Sequence, residues 1–165
     1  MTAFVWLYEA TILDSVFVLN RQHGISVVYI THDLTTAYQI SDNIVVLYRG
    51  SVVEAGSVEQ VIKQPKHPYT QLLVQSIPRP DPEKLWGEIP ARGDGDHNGV
   101  AAGCKFADRC PHVMDVCRTR VPPLFQVDHY RVASCFMYQG SPVMADGDIT
   151  KAFAPPGASP VAARS

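Results

Sequence analysis

Four apolar residues in a row, Val27, Val28, Tyr29 and Ile30, stand out first along the chain. No polar residue interrupts them, and Val and Ile are β-branched. Such a run predicts a short strand covered on both faces, as in a parallel sheet flanked by helices. The run turns polar at once, at Thr31, His32 and Asp33. Upstream, Ile12, Val16 and Leu19 recur at helical spacing, with Leu13 and Phe17 widening the stripe and Asp14, Asn20 and Arg21 off it. This pattern predicts a helix from Tyr8 to Gln22, closed at His23-Gly24 by a left-handed glycine. Helix, short loop and buried strand make half of an α/β unit. A parallel strand needs a neighbour, and no upstream stretch of this sequence reads as one.

Downstream the pattern is denser. A helix is predicted over Leu34–Ile40 with Asp33 as N-cap, broken by Ser41-Asp42-Asn43. Ile44–Tyr48, the turn Arg49-Gly50 and Ser51–Ala55 then read as a β-hairpin. Ser57 with Gln60 predicts a capping box opening a helix over Val58–Gln64, which Pro65 stops. His67-Pro68 leads into a further helix, Tyr69–Ser76, with Leu72 and Leu73 facing inward. Pro78, Pro80 and Pro82 form a stiff connector, and the Gly-, Asp- and Asn-rich stretch Ala91–Ala102 reads as a loop. The domain organisation expected is therefore 1–78 as an α/β part, 79–102 as linker and 103–139 as a cysteine-bearing extension. From 140 to 165 the chain is rich in Ala, Pro, Gly and Ser and reads as a disordered tail.

Composition narrows the class. At 165 residues the chain suits one domain, or one small domain with extensions. A formal net charge of -2 argues against bulk attraction to nucleic acid or anionic membrane. A basic and aromatic set (Lys105, Phe106, Arg109, Arg118, Phe125, Tyr130, Arg131) has no recognised nucleic-acid module beside it. No apolar run approaches the ~20 residues that span a bilayer. The opening Ala3–Tyr8 lacks a basic flank and runs into Glu9 and Asp14, which makes it a poor secretory signal. A cytosolic chain is expected, and its four cysteines then read as metal ligands or free thiols rather than disulfides.

Two groups of residues could carry chemistry. Ligands of open α/β sheets sit beyond the carboxyl ends of the strands, so His32 stands where a phosphate or reacting group would lie. Alternatively it caps the following helix or satisfies a neighbouring carbonyl. The second group is Cys104, Cys110, Cys117 and Cys135, separated by five, six and seventeen residues. Structural zinc uses tighter Cys pairs, whereas four thiolates suit an iron–sulfur cluster, although ferredoxin spacings differ. Lys105, Arg109, Arg118, Arg120 and Arg131 are expected to surround the thiols and lower their pKa values. Four free thiols in a small packed cap is the alternative. His67 reads as the residue that opens a helix, and His23 and His97 as solvated. His112 and His129 have no ligand-like spacing.

The segments Y-I-T-H-D-L, N-I-V-V-L-Y-R-G-S-V-V-E-A-G and K-H-P-Y-T-Q-L-L-V-Q-S-I-P occur in this order. Together they resemble the C-terminal part of an ATP-binding subunit of an ABC importer. The resemblance is closest to the oligopeptide/dipeptide/nickel branch, whose members also carry a G-E-I-P element (here Gly87–Pro90) and a cysteine-bearing extension like G-C-K-F-A-D-R-C-P (Gly103–Pro111). It covers about Glu9 to Tyr138. The fold it implies is α/β, the C-terminal part of a P-loop ATPase of the ABC type with a β-hairpin and helices, plus a small Cys-rich extension. His32 falls on the family's switch histidine, which contacts the γ-phosphate of ATP across a dimer site. In phosphoryl transfer the protein mainly positions groups and stabilises developing charge, and an imidazole can donate to a phosphate oxygen. Some members with this cysteine pattern hold a [4Fe-4S] cluster; others lack the cysteines. Implied partners are a second ATP-binding subunit and membrane-spanning permease subunits, with no nucleic acid. The implied location is cytoplasmic, at the inner face of the membrane through the permeases.

Several family elements are missing. No Gly-Lys dipeptide occurs, hence no phosphate loop; no Gly-Gly pair, hence no signature segment; and no apolar strand ends in Asp-Glu. The chain is therefore expected to be a C-terminal fragment, inactive alone, of a subunit that binds ATP and Mg when complete. A stand-alone iron–sulfur or zinc-binding module without ATPase activity is the competing expectation, and a non-functional remnant that associates through an unpaired sheet edge the third.

Overall fold

A computed structural model describes residues 12–16, 18–20, 22–77, 102–144, 147–153 and 155. The apolar opening at Ala3–Tyr8, nearly all of the 79–102 linker with Gly87–Pro90, His97 and the last ten residues lie outside them. Two compact units are present, 1–41 and 42–165.

In the first unit, residues 12–16, 18–20 and 22–23 are helical, and Gly24 closes the helix as expected, at φ 64° with its N–H donating to Asn20 O. Helix α1 spans Leu34–Ile40. Asp33 is its N-cap, accepting from Thr35 N at 2.8 Å, and Asp33 N donates to Thr31 Oγ1 at 3.0 Å. The buried parallel strand expected at Val27–Ile30 is not formed. Residues 24–30 carry no regular structure, and Val28 and Ile30 are 89% and 91% exposed. Strand geometry is held by ladder partners rather than by β-branched side chains, and among the described residues none pairs with this run. The stripe read at Ile12 and Leu19 is likewise exposed.

The second unit is built on one four-stranded antiparallel sheet in the order β1-β2-β4-β3. Strands β1 (Asn43–Tyr48) and β2 (Ser51–Ser57) form the expected hairpin. Arg49 and Gly50 both have positive φ, 47° and 74°, the requirement of the tight turn whose twist matches the strands. Helices α2 (Val58–Lys63) and α3 (Pro68–Gln75) follow. The Ser57–Gln60 capping box is absent: Ser57 makes no side-chain cap, and Gln60 Oε1 is buried without a partner. Ser57 instead belongs to β2, where its N–H reaches Tyr130 O, and Val58 N donates to Asp42 O.

Strands β3 (Phe125–Asp128) and β4 (Arg131–Ala133) come from the cysteine-bearing part and were not read from the sequence. β4 pairs with β2 through Glu54–Ala133, Ala55–Val132 and Gly56–Arg131, so β2 is interior and the two parts share one sheet. At Gly56 a Cβ would stand 2.5 Å from Tyr130 O, and this close approach demands glycine. Helix α4 (Asp115–Thr119) and short 3₁₀ turns at Ala107–Arg109 and Phe136–Tyr138 complete the extension. Part of the tail expected to be disordered from 140 onward is ordered. Phe125 bridges Val143, Met144 N donates to Leu124 O, and a 3₁₀ turn at Ile149–Ala152 buries Ala152 against Ala55 and Val132. The few apolar residues there (Met144, Ile149, Phe153) find the face of β2 and β4 ready to receive them.

Candidate functional site

His32 immediately precedes the α1 cap. The capping work falls to Asp33, whose carboxyl is held below the usual carboxylate range by Thr36 and the N–H groups it accepts. The imidazole is exposed and makes no hydrogen bond or ion pair with any described residue. The reading of His32 as the helix cap is therefore set aside. The strand that was to place it at a sheet edge is absent.

The four cysteines are positioned by separate elements. Cys104 begins the turn into Ala107–Arg109 and Cys110 ends it; Cys117 lies in α4; Cys135 precedes Phe136–Tyr138. Cys104 N donates to Cys117 O at 2.8 Å, and a Cβ on Gly103 would collide with that same carbonyl. None is disulfide-bonded; Cys104 and Cys110 are half-buried, Cys117 and Cys135 buried. Burial raises the Cys104, Cys110 and Cys135 thiols, Cys135 to about 11, and each is raised further by charge on others of the four. The thiols are thus near enough to sense one another. Opposing this, backbone N–H groups face three sulfurs: Phe106 and Ala107 at Cys104, His112 at Cys110 and Met137 at Cys135. Amides two or three residues after a cysteine favour its thiolate.

The expected basic collar does not form. Lys105 Nζ donates to Arg49 O at 2.7 Å, Arg118 lies 3.9 Å from Asp108 and Arg131 is buried against Glu54, and burial raises the Cys104, Cys110 and Cys135 thiols instead of basic neighbours lowering them. The supposed basic–aromatic surface dissolves for the same reason, since Phe106, Phe125 and Arg131 are interior. Among the described residues, no three or more His, Cys, Asp or Glu side chains stand in an arrangement that holds a metal ion. The donor chemistry and the amides suit a soft, thiolate-held group. The sulfurs as placed do not close around one.

Sequence reasoning missed a buried ionic centre. Glu54 (0% exposed) and Arg131 (1%) pair across β2 and β4, with Arg131 Nη2 2.7 Å and Nε 3.0 Å from Glu54 Oε1. Glu54 also accepts from Lys66 N and His67 N, at 3.0 and 2.9 Å, while Arg131 donates to Gln64 O. The signal was available: one carboxylate inside the apolar run V-V-E-A requires a partner. His67, read as opening a helix, does so: it is the N-cap of α3, its Nδ1 accepting from Tyr69 N at 3.0 Å. Burial pulls its pKa down to about 4.

Comparisons with known proteins single out part of this chain. Residues 53–117 match the family described as "Oligopeptide/dipeptide transporter, C-terminal region". That span runs from β2 through the Glu54 centre and α3 to Cys117. A Brucella ovis protein named for peptide import and ATP binding is 35% identical over 145 residues, 84% of this chain and 43% of the relative. A Sinorhizobium fredii protein named as a peptide ABC transporter ATP-binding protein is 34% identical over 128 residues, 77% of this chain and 36% of the relative. A second Brucella ovis protein named for peptide import is 34% identical over 133 residues, 77% of this chain and 40% of the relative. The chain thus spans less than half the length of the curated relatives it matches.

Proposed function

We propose that this chain supplies the C-terminal region of a peptide importer's energy-coupling subunit, a reading supported by its match over residues 53–117 to the oligopeptide/dipeptide transporter C-terminal region. The observation that carries the proposal is the family match, which takes in β2, α3 and the Cys104–Cys117 segment, whose Phe106 packs into the core under the hairpin and α3. ATP and Mg would bind in the complete subunit, between two such subunits, and closure would drive membrane-spanning permease partners at the inner face of the membrane. No helix among the described residues is long and apolar enough to cross a membrane.

In this reading His32 is the switch histidine. Its support is the family motif together with an exposed imidazole that the neighbouring Asp33 relieves of capping. It would donate to the γ-phosphate and help hold the attacking water. Residues 1–165 carry no phosphate-loop motif of their own. Isothermal titration of the chain with Mg-ATP should therefore show no binding tighter than millimolar, and micromolar binding would overturn the reading. In an assembled importer, His32→Ala should lower ATP turnover about 100-fold.

The thiol part of the proposal is that Cys104, Cys110, Cys117 and Cys135, which do not close around a metal as placed, would draw together to hold a structural [4Fe-4S] cluster or zinc ion. Such a group would supply cross-links to a cap with a small core of its own. Its support is the soft donor set, the mutual influence of the thiols and the amides facing three sulfurs. Iron, sulfide and zinc analysis of anaerobically isolated chain decides it, and absence of all three rejects it.

A further inference from the structure

Cys104 and Cys110 bracket Phe106, which is 2% exposed and sits amid three other rings. Its centroid lies 5.3 Å from Tyr48 on β1, edge-on, 5.6 Å from Tyr69 on α3 and 5.8 Å from His67. Tyr48 and Tyr69 also pack against each other, centroids 4.6 Å apart and planes tilted by 52°. The two thiol-bearing residues pack on this same cluster, and Cys104 contacts the second core cluster with Ala107, Cys117 and Phe136 as well. The segment carrying all three side chains has no ladder partner. It is fixed by the Cys104–Cys117 main-chain bond, by its own 3₁₀ turn and by the Lys105 contact to the hairpin tip. Whatever displaces either sulfur must displace the backbone on which Phe106 is mounted, and close-packed interiors pass on such shifts.

We infer that Cys104–Cys110 is a thiol-responsive clasp: the chemical state of its two half-buried sulfurs decides whether Phe106 seats between Tyr48, Tyr69 and His67, and so whether the β1–β2 hairpin and α3 are held firm. Ligated or bare sulfurs keep it closed, whereas a substituent on either sulfur, added by a disulfide-forming oxidant, opens it. The clasp uses the same thiols as the proposed metal site but does not require a metal, so the two ideas fail separately.

The experiment uses the full chain, reduced, with methyl methanethiosulfonate. This reagent forms a sulfur–sulfur bond to the cysteine thiolate, transfers its methylthio group and releases methanesulfinate. Mass spectrometry locates the label, and hydrogen exchange reads residues 44–56 and 68–75 against 125–133. Labelling of Cys104 or Cys110 should speed exchange in 44–56 and 68–75 at least tenfold, leave 125–133 protected, and be reversed by dithiothreitol. The Cys104→Ser/Cys110→Ser variant should not respond. Phe106→Ala should exchange fast in the same segments whatever the thiol state. Failure of both thiols to react in the folded chain would overturn the clasp. So would unchanged exchange after labelling, or equal loss of protection at 125–133. Metal content, measured on the same sample beforehand, reports on the cluster or zinc reading alone.

Discussion

Glu54 and Arg131 show what one residue can decide. The carboxylate satisfies the guanidinium and two main-chain N–H groups at once, so neither charge is left facing apolar surroundings. Removing one partner strands the other. Glu54→Ala should cost about 3–5 kcal/mol of unfolding free energy, measured by urea denaturation. The double change Glu54→Leu/Arg131→Met should cost clearly less than the two single changes summed, because no buried charge remains. Gly103 makes the same point sterically. Any Cβ there meets Cys117 O, a main-chain atom that cannot swing aside. Gly103→Ala should break the Cys104–Cys117 hydrogen bond and lower the midpoint, while Gly50→Ala, with open space around it, should cost only its positive φ.

Among the elements, α3 is tied to proton concentration through its cap. His67 caps with a lone pair on Nδ1, which exists only on the neutral ring, and burial lowers its pKa from 6.5 to about 4. Between those values the unfolded chain binds the proton and the folded chain does not, so this contribution is complete above about pH 7.5 and is lost as pH falls toward 4. Its upper bound is ~3 kcal/mol. Thermal melts at pH 7.5 and 5 should show a larger drop for the native chain than for His67→Asn, which retains a cap that does not titrate. The same helix illustrates what the sequence made legible. Local signals (Asp33 before α1, Arg49-Gly50 between strands, His67-Pro68 before α3, Gly24 after its helix) were all readable, because each motif satisfies its own backbone within a few residues. Strands β3 and β4 were not readable, since three or four residues carry no period. They exist because β2 offers an edge from far along the chain. The Val27–Ile30 run misled for the converse reason: it has strand composition without a described partner. At the site, the cysteines and His32 were named from spacing and resemblance. The ionic centre needed the pairing of β2 with β4 to become visible.

For the molecule as a whole, the cysteine-bearing extension is structurally continuous with the hairpin rather than appended to it. Phe106 fills the hairpin's core, β4 lies beside β2, and Arg131 neutralises Glu54. Ending the chain after Ile77 should therefore abolish a cooperative urea transition, followed by circular dichroism, where the complete chain shows one. The match at residues 53–117 begins inside β2 and leaves out both its partners, β1 and β4, so it marks sequence kinship, not an independently stable body. The strand order carries a last consequence, for biosynthesis. As the polypeptide leaves the ribosome, β2 emerges some seventy residues ahead of the strand that must lie beside it. Throughout that delay a carboxylate-bearing apolar edge waits uncovered, and such exposed edges invite association with other nascent chains. Conditions that slow translation between these strands should therefore raise the aggregated fraction.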